Sequence, residues 1–326
     1  VKILYSTDKH EISIDDDLLY AFVKQNNQIN IQLFDLENLS EIDGFDIEVA
    51  LPFNFRTSID RDFIYFVDVD SFLVKIDKIT GELVDRTPID ALCVAPIQYD
   101  DYFVYLLCLL PTRSTKIRFS TYFIQKINKD TGEKQKFAYK EGNPTQSLIS
   151  HNDCLLFSDI LNLNCLKKNG EEKWIAPLRS KMKNKLIAGE DTIVASSSSG
   201  AVQVFDIDTG RSKFSVQLPT SFVLPQTTNE TLYWITDNIL HSIDINKISN
   251  RVVPWEDKAQ LPTKKITSFA LNNGSHLIGN FHGQIAVGQT IYDIDQDAVV
   301  SFNFYKNLTI CETAQKVFVL DLEKNA

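Results

Sequence analysis

The sequence predicts an all-β protein, a single β-propeller over residues 1–326 with eight four-stranded blades, or seven as the alternative. Three observations carry this. The stretch Ala195–Phe214, ASSSSGAVQVFDIDTGRSKF, contains a strand end, a Ser/Gly turn and an alternating strand (Val202, Val204, Phe205, Ile207), then the turn Asp208-Thr209-Gly210 and another strand. That is hairpin patterning with its turn residues in place. Weaker copies recur at Ile76–Glu82, Ile127–Glu133, Lys167–Glu172, Ile243–Ile248 and Leu320–Lys324, and a unit repeating at roughly forty residues marks a propeller or solenoid. Elsewhere short β-branched and aromatic runs alternate with Asn, Asp, Gly and Pro, and no long helical period occurs.

With strands A to D in each unit, the first reads Glu11–Ile14, Leu18–Lys24, Ile29–Leu36 and Ile42–Val49. The second reads Phe55–Ile59, Phe63–Asp68, Phe72–Asp77 and Glu82–Ile89. The third has Cys93–Tyr99 and Tyr102–Leu110, an insertion Pro111–Ser120, then Thr121–Asn128 and Glu133–Tyr139. The fourth is Gln146–Ser150, Cys154–Ser158, Asn164–Lys168 and Glu172–Ala176; the fifth is Lys185–Ala188, Thr192–Ser196, Ala201–Ile207 and Arg211–Leu218. The sixth is Phe222–Gln226, Thr231–Thr236, Ile239–Ile245 and Arg251–Trp255; the seventh is Ile266–Leu271, His276–Phe281, Gln284–Val287 and Thr290–Ile294. The eighth stops one strand short, after Val299–Phe304, Leu308–Glu312 and Lys316–Leu322. The C-terminal DLEKNA followed by the N-terminal VKILYS has the form of DIDTGRSKFSV, so Val1–Tyr5 is expected to supply the missing strand. Closure by a strand from the opposite terminus removes exposed sheet edges.

The charge balance, Lys+Arg 33 against Asp+Glu 43 for a net −10, argues against wholesale nucleic-acid binding while leaving local basic patches open. No apolar run reaches membrane-helix length. Cysteines 93, 108, 154, 165 and 311 are odd in number without CxxC spacing, and read as small buried hydrophobes in a reducing compartment. The cytoplasm is therefore expected, with the periplasm or secretion as the alternative if the chain is a processed form.

The repeat resembles that of the quinoprotein-like propellers, with their pyrroloquinoline-quinone-type blades. The matching residues are Thr80-Gly81-Glu82, Thr131-Gly132-Glu133, Thr209-Gly210-Arg211 and Gly170-Glu-Glu-Lys-Trp174. The resemblance implies that a Trp four positions after the turn Gly docks one blade on the next. Trp174 occupies that position and is expected to be largely buried, while the other blades offer Asp85, Lys136 and Phe214. The family's enzymes use adjacent cysteines and calcium-binding carboxylates; this chain has no adjacent cysteines, so neither cofactor nor metal is expected. Trp-Asp dipeptides, Gly-Gly kelch pairs and a sialidase box are also missing.

Asp15–Asp17, Asp60–Asp62 and Asp100-Asp101 resemble metal or acid–base clusters, yet each falls in an A–B turn where Asp satisfies turn backbone. His276 and His282 share strand parity without metal-ligand spacing, and Ser196–Ser199 lacks a nucleophile elbow. Charge does sort by loop. The A–B and C–D turns collect acids, and the D–A and B–C connections collect Arg113, Lys116, Arg118, Arg179, Lys181, Lys183, Lys185, Lys264 and Lys265. Phe53, Phe55, Phe119 and Phe222 lie near the same loops as aromatic anchors. The expected function is a non-catalytic protein-binding scaffold, with no enzyme activity and an unidentified protein partner. A bacterial scaffold like the outer-membrane assembly propeller is one form. An immunity or toxin-neutralising protein is its most concrete version. The rival is a small-ligand or quinone-dependent enzyme using a central channel.

Overall fold

The computed structural model describes residues 1–9, 11–25, 28–48, 57–89, 91–110, 120–179, 186–189, 191–197, 200–217, 226–228, 231–236, 238–244, 256–262, 265–272 and 275–322. Among these, every regular element is a strand, and the strands form eight antiparallel sheets. Seven sheets are four-stranded, and the third carries a fifth piece because its first strand is interrupted.

Consecutive strands pair with their neighbours in chain order, as hairpin-linked blades require. The eighth blade runs Val299–Tyr305, Leu308–Thr313 and Lys316–Asp321, and its outer strand is the N-terminal Lys2–Asp8. That pairing is antiparallel from Lys2 opposite Asp321 to Asp8 opposite Lys316, with a register shift between Ile3 and Tyr5. Terminal closure of the blade is therefore as the sequence predicts.

Most strand limits lie within a few residues of the sequence reading, and one strand is interrupted beside a proline. Blade three's first strand is broken into Leu92–Cys93 and Gln98–Tyr99, with Pro96 between them unable to donate to the ladder. In blade six the described part of the first strand is Gln226–Thr228, and residues 222–225 of the expected strand lie outside the described residues. Its described outer strand is Glu256–Gln260, and the expected Arg251–Trp255 lies outside the described residues.

The contacts divide the chain into two compact units, Val1–Glu48 with Thr220–Ala326 and Val49–Pro219. In the second unit, Tyr65, Leu73, Val104, Leu106, Cys108 and Phe123 fill the space between blades two and three. Tyr105, Leu107, Ile124, Leu155 and Phe157 do the same between blades three and four, and Leu156, Cys165, Ile193, Ala195 and Phe205 between four and five. In the first unit, Tyr5, Leu19, Ala21, Phe34, Ile310 and Val317 join blades eight and one, and Tyr5 stacks on Phe34 at 4.3 Å between ring centroids. Each core layer thus lies between two sheets, so neither faces water. Among the described residues no helix is long and apolar enough to cross a membrane.

Candidate interaction surface

In blades one to five the A–B and C–D turns share one end, because the backbone ties them together. The amide of the second C–D turn residue donates to an A–B turn carbonyl: Leu36 to Asp17 (2.8 Å), Lys78 to Asp62 (3.1 Å), Lys129 to Tyr102 (2.9 Å), Lys168 to Asp153 (2.8 Å) and Ile207 to Asp191 (3.1 Å). The acidic turns therefore sit opposite the B–C and D–A connections, as the loop sorting expected.

The carboxylates of this turn end are structural. Asp60 Oδ1 accepts the amides of Asp62 (3.0 Å) and Phe63 (2.8 Å), an Asx turn. Its Oδ2 accepts the Tyr65 hydroxyl at 3.0 Å and pairs with the Lys129 ammonium of the next blade. Blade three repeats the set: Asp100 Oδ1 accepts Tyr102 (3.0 Å) and Phe103 (2.9 Å), and Oδ2 takes the Tyr105 hydroxyl (2.8 Å) and Lys168 of blade four (3.4 Å). Burial alone would raise the Asp60 carboxyl; the Lys129 bond and the two turn amides outweigh it and hold it below the usual carboxylate range. At Asp100 burial again opposes, and the Tyr105 bond, the turn amides and Lys168 win. The tyrosines respond in the opposite sense, Tyr65 and Tyr105 being raised by burial and by these same carboxylates. In the first unit Asp17 accepts the Tyr305 hydroxyl, and Lys306 reaches Asp17 (3.6 Å) and Glu37 (3.0 Å).

A second bond recurs at each joint of the Val49–Pro219 unit. The carbonyl of the second C–D turn residue accepts a donor from the preceding blade: Lys75 Nζ to Lys129 (2.9 Å), Lys126 Nζ to Lys168 (3.2 Å) and Trp174 Nε1 to Ile207 (3.2 Å). Both lysines also lie over an aromatic ring, Lys75 at 3.9 Å from Phe63 and Lys126 at 3.7 Å from Phe103, a cation–π contact. Trp174 docks blade four on blade five as the resemblance implies: it lies on the outer strand Glu172–Pro177, is mostly buried, packs against the core between those two blades and meets the Gly210 turn. At the previous joint the ring against Gly170 belongs to Phe137, one residue beyond the expected Lys136. A bulge beside Trp174 absorbs a residue that the corresponding part of blade three keeps in register. Phe214 is buried, whereas Asp85 accepts the Thr87 hydroxyl at 2.6 Å.

The sequence pattern revealed the turn role of Asp60 and Asp100 but not their lysine and tyrosine partners. A recurring Asp-x4-Tyr spacing, 60 to 65 and 100 to 105, was the available signal.

On the D–A connections, Arg179 in the second unit and Lys265 in the first are each exposed. The Arg179 amide donates to Gln203 Oε1 at 2.6 Å, fixing the start of its connection, and the Lys265 carbonyl accepts the Phe281 amide at 3.0 Å. Arg113, Lys116, Arg118, Lys181, Lys183, Lys185, Lys264 and Phe222 lie outside the described residues, as do Phe53, Phe55 and Phe119. One D–A connection departs from the basic pattern. Asp293, Asp295 and Asp297, with Lys316, line a concavity of about 630 Å³, in which Asp295 accepts the Thr313 hydroxyl at 2.7 Å and Asp293 the Gln284 amide at 2.8 Å. His276 and His282 fall at opposite ends of the strand Ser275–Asn280 and do not converge. Among the described residues no cluster of His, Cys, Asp or Glu is arranged to hold a metal.

Compared with solved structures, the chain superposes on BamB from Moraxella catarrhalis with a TM-score of 0.72 at 13% identity, covering 100% of this chain and 98% of that one. The chain is a β-propeller. It is also similar to KlHsv2 with loop 6CD replaced by a Gly-Ser linker, at a TM-score of 0.56 and 11% identity over 94% of this chain and 92% of that one. No protein-family model and no curated protein sequence matches it. At such identities the likeness is one of fold.

Proposed function

We propose that this propeller is a non-catalytic scaffold that binds another protein through its D–A and B–C connections. One observation carries the reading. Key charges of the turns, Asp60, Asp100, Lys129 and Lys168, are spent on joints between blades, whereas Arg179 and Lys265 each stand exposed on a D–A connection of their own unit. Loops on a rigid scaffold are where recognition concentrates. The likeness to BamB supports a propeller scaffold and names no partner.

On this reading Arg113, Lys116, Arg118, Arg179, Lys181, Lys183, Lys185, Lys264 and Lys265 speed encounter with an acidic partner surface, an effect that salt weakens. Phe222 is the apolar anchor. The test is co-purification from the native host with Arg113, Lys116, Arg118, Lys181 and Lys183 all reversed to Glu. Loss of the partner with unchanged melting supports the surface. Normal capture by that protein, together with loss on reversing Asp15–Asp17, moves binding to the turn end. The enzyme reading has its own check, because added quinone and calcium at a hundred times their dissociation constants stabilise a true binder by about 2.7 kcal/mol.

A further inference from the structure

We propose that Cys93 and Cys108 form a reversible cross-strand disulfide site, oxidised by a small-molecule disulfide of the glutathione class. The two residues lie directly opposite each other on antiparallel strands of blade three. The adjoining Val94 amide donates to Leu107, its own partner, at 2.9 Å. That makes Val94–Leu107 a hydrogen-bonded pair and Cys93–Cys108 a non-hydrogen-bonded one, the type in which α-carbons approach to about 4.5 Å and side chains are closest. A disulfide needs α-carbons about 4.4–6.8 Å apart, so this pair can close without moving the sheet. Both thiols face the same layer, Cys108 within it and Cys93 at its edge. All five cysteines are free thiols in the structure.

Cys93 keeps a partial exposure at the edge of the layer and Cys108 is buried, which orders the steps. The Cys93 thiolate attacks one sulfur of the oxidant and expels the other as a thiolate, which takes up a proton. Cys108 then loses its proton and attacks Cys93 Sγ, expelling the second thiol. The oxidant is reduced to two thiols and the dithiol is oxidised to one disulfide. Closure costs the weak bond from Cys93 Sγ to the Ala95 carbonyl, 3.4 Å long. Burial pushes the Cys93 thiol up to about 11, so the first attack is slow at neutral pH and quickens in alkali.

The chain contains an internal comparison. Cys165 lies opposite Leu156, while Cys154 lies opposite Lys167, so these thiols are diagonal neighbours. Their side chains are in hydrogen-bond contact, but diagonal positions set the α-carbons about 7–8 Å apart, beyond the range a disulfide spans without backbone movement.

The experiment incubates the full chain with oxidised glutathione at mildly alkaline pH, blocks remaining thiols and maps peptides without reduction. Reactive thiols should fall from the five in the sequence to three, with one linked peptide joining Cys93 to Cys108, and reduced glutathione should restore all five. Cys93→Ser, a change of one atom at the edge of the layer, should abolish the link. Five thiols persisting after exposure, a glutathione adduct on Cys93 that never resolves, or a Cys154–Cys165 link in its place would each overturn the proposal.

Discussion

Replacing Lys129 by Met tests whether the recurring Asp–Tyr–Lys sets hold blades together. The Asp60 and Lys129 side chains are only 9% and 8% exposed, so solvent does little to screen the pair. Removing one member of a buried pair costs about 3–5 kcal/mol. Asp60 retains the amides of Asp62 and Phe63 and the Tyr65 hydroxyl, which places the expected cost at the lower end, about 3 kcal/mol. The assay is urea denaturation read by two probes, to check that one transition is being measured, on Lys129→Met, Asp60→Asn and the double variant. Coupling of at least about 1.5 kcal/mol is expected. The pH dependence supplies a signature. In the native protein Asp60 is held below its unfolded value, so its contribution is complete above the usual carboxylate range and is lost as pH falls through the folded value. Without Lys129, burial raises that carboxyl instead, and the gap between variant and native protein narrows on acidification. A cost below about 1 kcal/mol, the scale of an exposed pair, with a gap that does not change with pH, would refute the reasoning.

Other expectations concern the joints and the closing strand. Gly210→Ala meets two obstacles, a φ of 67° and a Cβ that would fall 2.5 Å from the Trp174 ring. Gly288→Ala has a φ of 60° and open space, so it should lose only the backbone term of about 1–2 kcal/mol; equal losses at the two sites by thermal denaturation would remove Trp174 from the joint. Trp174→Phe deletes the bond to Ile207 and part of the ring that meets the Gly210 turn, and should cost at least about 1 kcal/mol by thermal denaturation. Deleting residues 1–7 uncovers the strand Lys316–Asp321 and removes Tyr5 from Phe34; lower melting and self-association in size-exclusion chromatography are expected. Unchanged behaviour would mean that the terminal strand does not close its blade.

Hairpin architecture was legible because strand alternation and turn chemistry are local. Asp206 to Gly210 specifies its turn with its own atoms: Asp206 Oδ1 takes the amides of Asp208 (3.2 Å) and Thr209 (2.9 Å). Terminal closure was legible for the same reason, since the last strand and the first read as one hairpin. The joints were not. Lys75 and Lys126 reach across blades, to residues 54 and 42 positions away, and nothing near either lysine in sequence marks its acceptor. A resemblance resting on Trp174 therefore located one joint and missed the donors of the other two. Connections such as Asp293–Asp297 went unread because three acids in a loop look the same whether they satisfy turns or line a concavity.

The acceptors at those joints are backbone carbonyls, those of Lys129, Lys168 and Ile207. A carbonyl is present whatever side chain its residue carries, so the receiving half of each joint cannot be lost by substitution. Only the giving half drifts, and a lysine ammonium or an indole N–H serves equally in reach. The seam consequently imposes a one-sided record on evolution: the donor positions would vary in identity without any matching change at the partner, and pairwise covariation would leave these joints invisible. A propeller stitched in this way can lose the recognisable letters of its repeat while keeping the register of its blades.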